Sequence, residues 1–297
     1  MRELKGPDDA RRQVAYWADE GATSFKAYMN IRRGELGAAI EEAHKRGLKV
    51  TGHLCSVTYA EAADLGIDNL EHGFLAATDF VSDKQPDVCP ASAKVQQALT
   101  ALDENGEPFK NLVKKLIDRK VALTSTLTVF ETFTPGRPIP PGLDVLVPTL
   151  KEEFLQRHAR TAANTQSAYT RLFPKALALE RAFAKAGGLL IAGTDPTGGG
   201  GVVPGYSNHR QLELLVEAGF TPIEAITIST LNGASYLGRA DTIGTIAVGK
   251  QADIVIVKGD PSANIADVRN VELVFKQGAG FDPAALIESV KGKVGLW

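Results

Sequence analysis

TSFKAYMNIRRGELGAAIEEAHKRGLKVTGHL, residues 23–54, is the stretch of sequence that determines the fold. Residues 23–29 combine aromatic and apolar side chains in the way typical of a strand. Residues 35–46 have helical periodicity and end at Gly47, a residue common just beyond a helix C-terminus. Residues 48–54 form a second predicted strand. This order predicts a βαβ unit, whose two strands lie parallel in one sheet.

The same alternation of strand and helix patterns continues along the chain. Further strands are predicted at 67–71, 120–127 and 188–193, and further helices at 9–20, 58–65, 107–119 and 147–186. Polar residues of catalytic type follow nearly every predicted strand, at the end where a (β/α)₈ barrel builds its active site. An open doubly wound sheet would concentrate them at one switch point. The sequence therefore predicts an α/β fold of the (β/α)₈ TIM-barrel type, incomplete, with about five of the eight strands.

The C-terminal part of the sequence has a different pattern. A helix predicted at 222–230 opens with a capping box, Thr221-Pro222-Ile223-Glu224. Short strand patterns at 242–247, 252–257 and 271–276 follow, separated by Gly and Pro turns. They predict a small β appendage, so we expect a barrel domain at 1–240 and a separate β portion with a tail at 241–297. Two proline-containing stretches, 79–106 and 131–148, are predicted to be long loops on the active-site face.

Composition limits the classes of partner. The chain has 297 residues and a formal net charge of -2, so charge gives no reason to expect nucleic acid or an anionic membrane as a partner. No run of about 18 apolar residues predicts a membrane span. The N-terminus lacks the apolar region of a signal peptide, which leaves the compartment unknown, with the cytoplasm as the default. Cys55 and Cys89 are expected to be buried free thiols, although a single disulfide stays open.

Four residues of metal-ligand type lie at predicted strand ends: Lys26, His53, His72 and Asp195. The two histidines occupy equivalent positions in consecutive βα units, and neutral imidazole is a good zinc ligand. Either histidine alone would be an ordinary core or loop residue. Asp195 follows Gly193-Thr194 and precedes proline, so its carboxylate either binds metal and accepts a proton from water or merely starts a turn. Lys26 lies in a predominantly apolar strand, where a buried ammonium group needs a compensating reason, or it is a strand-end lysine that reaches solvent.

Three further residues are candidates for contact with substrate. Tyr28 follows the strand of Lys26 and is expected near the barrel mouth. His209 and Arg210 begin a predicted helix, and an arginine there can pair with a substrate carboxylate. They could equally cap and solvate that helix. The sequence contains no Gly-x-Ser-x-Gly motif, which argues against a serine hydrolase.

Three stretches, in this order, carry a family resemblance: IAGTDP at 191–196, NHRQLELLVEAGFTPIEAI at 208–226 and GTIAVGKQADIVIV at 244–257. With them the chain resembles the C-terminal two-thirds of an amidohydrolase-superfamily enzyme of the imidazolonepropionase-like or prolidase-like branch. The resemblance runs from about residue 9 to the last residue. It implies a metal-dependent (β/α)₈ barrel followed by the C-terminal part of a small β-sandwich.

The resemblance also implies an activity, namely hydrolysis of carbon–nitrogen bonds by metal-activated water. Substrates in this branch are small amides such as dipeptides, acylated amino acids or cyclic amides. Many members use two zinc ions bridged by a carboxylated lysine, which corresponds to Lys26, with ligands corresponding to His53, His72 and Asp195. Asp195 would also act as the catalytic proton carrier. The family's His-x-His pair has no counterpart here, so one zinc site is implied and the second stays open.

Two expectations about partners follow. An active enzyme would bind a small-molecule amide and, we expect, form a homo-oligomer. The alternative is a catalytically inactive fragment that serves as a scaffold or assembles with another chain, because a barrel of five strands leaves two open edges that invite strand pairing. A lyase or isomerase on the same barrel is a third hypothesis, since this fold hosts many chemistries.

Overall fold

The computed structural model describes residues 3–196 and 201–295. A five-stranded sheet in the order β1-β2-β3-β4-β5 and a three-stranded sheet in the order β6-β7-β8 organise the chain. The strands of the larger sheet are β1 Ser24–Ala27, β2 Lys49–Gly52, β3 Asn69–Glu71, β4 Ala122–Ser125 and β5 Leu190–Ala192. Those of the smaller sheet are β6 Ile254–Val257, β7 Val271–Lys276 and β8 Ala279–Phe281.

Helices alternate with the strands of the larger sheet. They are α1 Pro7–Asp19, α2 Arg33–Lys45, α3 Tyr59–Asp64, α4 Ser92–Ala101, α5 Glu107–Asp118, α6 Leu127–Glu131, α7 Pro148–Ala163 and α8 Tyr169–Lys185. After β5 come α9 Tyr206–Glu217, α10 Pro222–Ser229 and α11 Leu231–Tyr236, and α12 Pro283–Val290 follows the smaller sheet. The predicted α/β fold with about five barrel strands is confirmed.

Two compact units make up the chain. The first unit is Met1–Ser125 with Ala178–Leu190, and the second unit is Thr126–Leu177 with Ile191–Trp297. The predicted domain boundary between residues 240 and 241 stays a prediction. In the residues that the structure describes, no helix is long and apolar enough to cross a membrane.

The larger sheet is parallel, as the alternation predicts. Lys26 pairs in register with Thr51, and Thr51 pairs with Asn69. The backbone N–H of Leu123 donates to the carbonyl of Leu189 at 3.0 Å, which ties β4 to the start of the fifth strand. Because partners in register point to the same face of a sheet, these pairings place polar side chains of several strands side by side.

Helices cover the first unit's strands with amphipathic faces. In α5 the buried residues Phe109, Leu112, Val113 and Leu116 recur at helical spacing and form one apolar stripe. Burial of each such side chain contributes about 1.5–3 kcal/mol, so this stripe fixes the helix on the sheet. The α3 helix begins with a capping box in which the Glu61 N–H donates to the Thr58 hydroxyl.

Three sequence expectations about secondary structure are wrong. The helix predicted at 147–186 is two helices, α7 and α8, because the chain turns at 164–168 through hydrogen bonds of the Asn164 backbone and side chain. The loop predicted at 79–106 contains α4. Residues 242–247 form a turn in place of a strand: Lys250 Nζ donates to the carbonyl of Ala240 at 2.6 Å and holds the turn closed. The predicted capping box at Thr221 is confirmed.

The expectation of two free thiols is also wrong. Cys55 and Cys89 form a disulfide, with Cα atoms 4.9 Å apart. The two cysteines meet because the segment after β3 folds back, and Asp87 accepts a hydrogen bond from the backbone N–H of Arg33 at 2.8 Å. A sequence separation of 34 residues hid this proximity.

Candidate active site

A polar layer crosses the larger sheet within the first unit. The Asn69 amide donates to the hydroxyls of Thr51 and Thr124, both at 2.7 Å. The Thr51 hydroxyl donates to Glu71 Oε1 at 2.7 Å. These bonds lock the side chains of β2, β3 and β4 to one another, so the sheet presents a fixed polar surface below the strand ends.

His53 and His72 lie directly beyond this layer. His53 follows the last residue of β2, and its backbone N–H donates to the carbonyl of Ala27 at 3.1 Å. His72 follows the last residue of β3. The centroids of the two imidazole rings are 4.3 Å apart, with the rings edge to face. The structure therefore brings together two candidate ligands from consecutive βα units.

His72 has an unusual backbone conformation. Its φ is 69°, in the left-handed region that side chains other than glycine rarely adopt. Gly73 follows with a φ of 58°. The chain therefore turns at His72, directly after the last residue of β3. Only 4% of the residue is exposed, so the imidazole is held in a protected position.

Tyr28 and Lys26 flank the two histidines. The Tyr28 ring lies 4.9 Å from the His53 ring, centroid to centroid, and 41% of the residue is exposed. Lys26 is exposed too, which corrects the expectation of a buried lysine. The reason is that β1 is the edge strand of the sheet in the residues that the structure describes. Both side chains line a cavity of about 840 Å³ beside that edge.

The electrostatics of the site favour a neutral His72. Burial, followed by electrostatic interactions with His53 and Lys26, lowers the pKa of His72 to about 3. Neutral imidazole is the form that binds a metal ion.

The candidate ligands of the first unit are of the chemical type that zinc prefers, but there are fewer of them than a complete zinc site needs. Two neutral imidazoles are suitable ligands, and Lys26 becomes an oxygen donor once its amine is carboxylated. Over residues 3–196 and 201–295, no group of three or more His, Cys, Asp or Glu could hold a metal ion. A complete site in this unit therefore needs the carboxylated form of Lys26 or donors beyond His53 and His72.

Asp195 belongs to the second unit. It lies three residues beyond the last residue of β5, is half-buried, and has a φ of 45°. The preceding carbonyl, that of Thr194, accepts a hydrogen bond from the Thr128 hydroxyl at 3.3 Å. This bond anchors the turn that carries Asp195. Its roles as metal ligand and proton carrier stay predictions.

His209 and Arg210 are the fourth and fifth residues of α9 within the second unit, so the helix begins three residues before the pair predicted to start it. Arg210 is 16% exposed at its side chain, and it donates to Glu131 Oε1 at 2.6 Å and to Glu213 Oε2 at 2.7 Å. Burial lowers the pKa of the half-buried His209, and the positive charge of Arg269 lowers it further. Arg210 is thus held by carboxylates of the protein, and contact of either residue with substrate stays a prediction.

Sequence reasoning missed two groups of residues. The polar layer of Thr51, Asn69, Glu71 and Thr124 carried a signal, because polar residues recur at every second position of otherwise apolar strands. The ion-pair network of the second unit, in which Arg137 donates to both carboxylate oxygens of Glu217 at 2.7 and 2.6 Å, carried none. Its partners come from separate elements whose proximity depends on the fold.

Comparisons with known proteins identify the family of the chain. The sequence model of the Amidohydrolase family matches residues 86–280. The imidazolonepropionase of Porphyromonas gingivalis is 34% identical over 104 residues, which are 33% of this chain and 25% of that protein. This chain therefore spans about a quarter of the length of that curated relative.

Solved structures resemble the chain over almost all of its length. One is a putative prolidase from Bifidobacterium longum, with a TM-score of 0.65 at 21% identity. The alignment covers 98% of this chain and 65% of the prolidase chain. Another is bottromycin amidohydrolase, with a TM-score of 0.67 at 20% identity. The alignment covers 97% of this chain and 61% of the bottromycin amidohydrolase chain. At these identities the likeness shows the fold alone. The chain spans about three-fifths of these solved chains.

Proposed function

Because the chain belongs to the Amidohydrolase family, we propose that it carries the active-site residues of a metal-dependent hydrolase of carbon–nitrogen bonds. The substrates proposed are small amides such as dipeptides, acylated amino acids or cyclic amides. The observation that carries the proposal is the pair His53 and His72, whose rings lie 4.3 Å apart at consecutive strand ends. Relatives named imidazolonepropionase and prolidase support the choice of bond.

We assign separate roles to the residues. His53 and His72 hold a divalent ion, which we propose to be zinc, through neutral imidazole nitrogens. Lys26, once carboxylated, adds an anionic oxygen donor. When bound, the ion lowers the pKa of water to about 7 and polarises the substrate carbonyl. We assign no residues to a second metal ion, because a second site needs ligands in addition to His53, His72 and Lys26.

Proton transfer is assigned to Asp195. Its carboxylate accepts the proton of the attacking water and passes it to the amide nitrogen as that nitrogen leaves. Tyr28 is the proposed contact for the substrate at the mouth of the site, since it is exposed and lies against His53. His209 and Arg210 are the proposed contacts for a substrate carboxylate.

Elemental analysis of the purified chain tests the metal assignment. After exchange into zinc-buffered solution with bicarbonate, we expect about one zinc ion per chain, lost in His53→Ala. His44→Ala is the matched control, because His44 lies on α2 and pairs with Asp68 at 2.9 Å. Zinc retained in His53→Ala, or lost equally in both variants, would overturn the assignment.

Assembly with a second copy of the chain is the second candidate function. In the described part of the sheet β1 pairs only with β2, and its other edge borders the cavity of about 840 Å³. Trp17 lines this cavity and is 52% exposed. Open strand edges and exposed aromatic side chains favour association.

Light scattering would detect the dimer. A dimer that Trp17→Ser converts to a monomer supports assembly through this edge, and a monomeric wild-type chain excludes that assembly.

A further inference from the structure

Tyr59 lies behind the turn that carries His72. It is the first residue of α3 and is 0% exposed. Its hydroxyl lies 3.0 Å from the carbonyl oxygen of Glu71 and 2.8 Å from that of Gly73. These carbonyls belong to the residues on either side of His72. One phenol hydrogen is therefore shared between two acceptors that bracket the candidate ligand.

The bracketed segment needs such support. His72 and Gly73 are consecutive residues in the left-handed region, with φ of 69° and 58°. A left-handed conformation is unfavourable for a residue with a side chain, so surrounding contacts must impose it. The Gly73 N–H donates to the carbonyl of Thr124 at 2.9 Å, which fixes the far side of the turn to β4.

Glu180 closes the turn from a third side. A Cβ atom added at Gly73 would lie 2.1 Å from Glu180 Oε1, so only glycine fits at this position. Glu180 is 1% exposed, and its carboxyl group is hydrogen-bonded to Ser125. The turn therefore cannot relax toward α8 without displacing a buried side chain.

Tyr59 is itself anchored by its backbone. The carboxylate of Asp79 accepts the N–H groups of Tyr59 and Ala60, each at 2.9 Å. Asp79 is half-buried, and burial raises its pKa, while the hydrogen bonds from the two backbone N–H groups lower it. The phenol ring is thus fixed at its backbone end by Asp79 and at its hydroxyl end by the turn.

We propose that Tyr59 is a positioning residue for His72: its hydroxyl holds the left-handed turn at which the imidazole meets that of His53. The inference rests on the proposed function for its consequence in metal binding, and on the described geometry alone for its effect on the turn. Tyr59 does not touch the metal or substrate, because its hydroxyl is buried and engaged by two carbonyls.

Tyr59→Phe tests the proposal, because it removes the hydroxyl and retains the ring. Phe109→Leu is the matched control: Phe109 packs in the same core, 4.9 Å from the Phe74 ring, and lies outside the turn. We expect hydrogen exchange at the Gly73 amide to accelerate roughly fivefold to tenfold in Tyr59→Phe, relative to the Leu123 amide in β4. Equal acceleration at both amides would overturn the proposal.

Two further readouts separate positioning from general support. In the metal-free chain, Tyr59→Phe should shift the NMR resonances of the His72 imidazole, while Phe109→Leu should leave them in place. With Co²⁺ as the probe, affinity should fall roughly tenfold in Tyr59→Phe and stay unchanged in the control. An imidazole signal that does not move, or equal loss of Co²⁺ affinity in both variants, would overturn the proposal.

Failure of the proposed function would give a different result. If the wild-type chain binds no Co²⁺, the metal assignment is wrong, and the exchange and NMR readouts still decide whether Tyr59 orients His72. If circular dichroism shows that Tyr59→Phe does not fold, Asp79→Asn replaces it in the same comparisons. That variant weakens the anchor of Tyr59 and should accelerate exchange at Gly73 before that at Leu123; uniform acceleration would overturn the proposal.

Discussion

The imidazole rings of His53 and His72 meet edge to face with their centroids 4.3 Å apart. The two residues end consecutive parallel strands, so the register of β2 and β3 sets their separation. The backbone of His72 is left-handed at that point, with a φ of 69°. The candidate site is therefore a consequence of strand pairing together with one local turn.

Carboxylation of Lys26 has a direct test. Bicarbonate supplies the CO₂ that converts the amine into an anionic oxygen donor, so added bicarbonate should raise the zinc affinity of the wild-type chain. Lys26→Arg keeps the positive charge and cannot be converted in this way, so its zinc affinity should not respond to bicarbonate. Isothermal titration with zinc, with and without bicarbonate, gives the comparison. An identical bicarbonate response in both chains would exclude carboxylation at this residue.

The buried carboxyl group of Glu180 predicts a pH-dependent stability. Burial raises its pKa from 4.5 to about 8. The neutral form is favoured in the folded state, so the stabilisation is present below pH 4.5 and is lost as the pH rises through about 8. The free energy of unfolding attributable to this group should fall by at most about 1.4 kcal/mol per pH unit across that interval.

Glu180→Gln removes this titration and keeps the shape of the side chain. Urea unfolding at several pH values should show a flatter stability profile for the variant, with the largest gain over wild type at alkaline pH. Glu288→Gln is the control, because Glu288 is an exposed residue of α12. Parallel pH profiles for Glu180→Gln and the wild type would contradict the raised pKa.

The disulfide between Cys55 and Cys89 should stabilise the first unit. It closes a loop with a sequence separation of 34 residues, and a bridge of this kind contributes about 2–4 kcal/mol by restricting the unfolded chain. Urea unfolding with and without a dithiol reductant should show this loss for the wild type. Cys89→Ala should be equally unstable in both conditions. A reductant effect that persists in the variant would exclude the bridge as its cause.

Arg210 should be important for stability as well as for any contact with substrate. Its guanidinium lies between Glu131 and Glu213, whose side chains are only 9% and 12% exposed. Arg210→Met would remove one of the two arginines that pair with each carboxylate, since Arg137 also pairs with Glu131 and Arg269 with Glu213, at a cost of about 1.5–3 kcal/mol in the free energy of unfolding. Arg171→Met, at an exposed position of α8, should cost little. Equal stability of the two variants would show that the network contributes nothing measurable.

Strand and helix alternation could be predicted from the sequence, because short strand patterns alternate along the chain with helices of clear periodicity. The positions of His53 and His72 could be predicted for the same reason. The exposure of Lys26 could not, since it depends on β1 being the edge of the described sheet. Contacts between segments that are distant in sequence could not be predicted either, because hydrophobic periodicity describes only local structure. They include the disulfide, the hydrogen bonds of Tyr59 around His72 and the ion pair of Arg210 with Glu131.

The central claim is that His53 and His72 bind one metal ion together, and X-ray absorption spectroscopy of the zinc-loaded chain tests it most directly. We predict two imidazole nitrogens at about 2.0–2.1 Å from zinc in the wild type and one in His72→Ala. His158→Ala is the control and should retain both, because His158 lies on α7 and hydrogen-bonds the carbonyl of Arg137. An equal number of imidazole ligands in the wild type and His72→Ala would contradict the account.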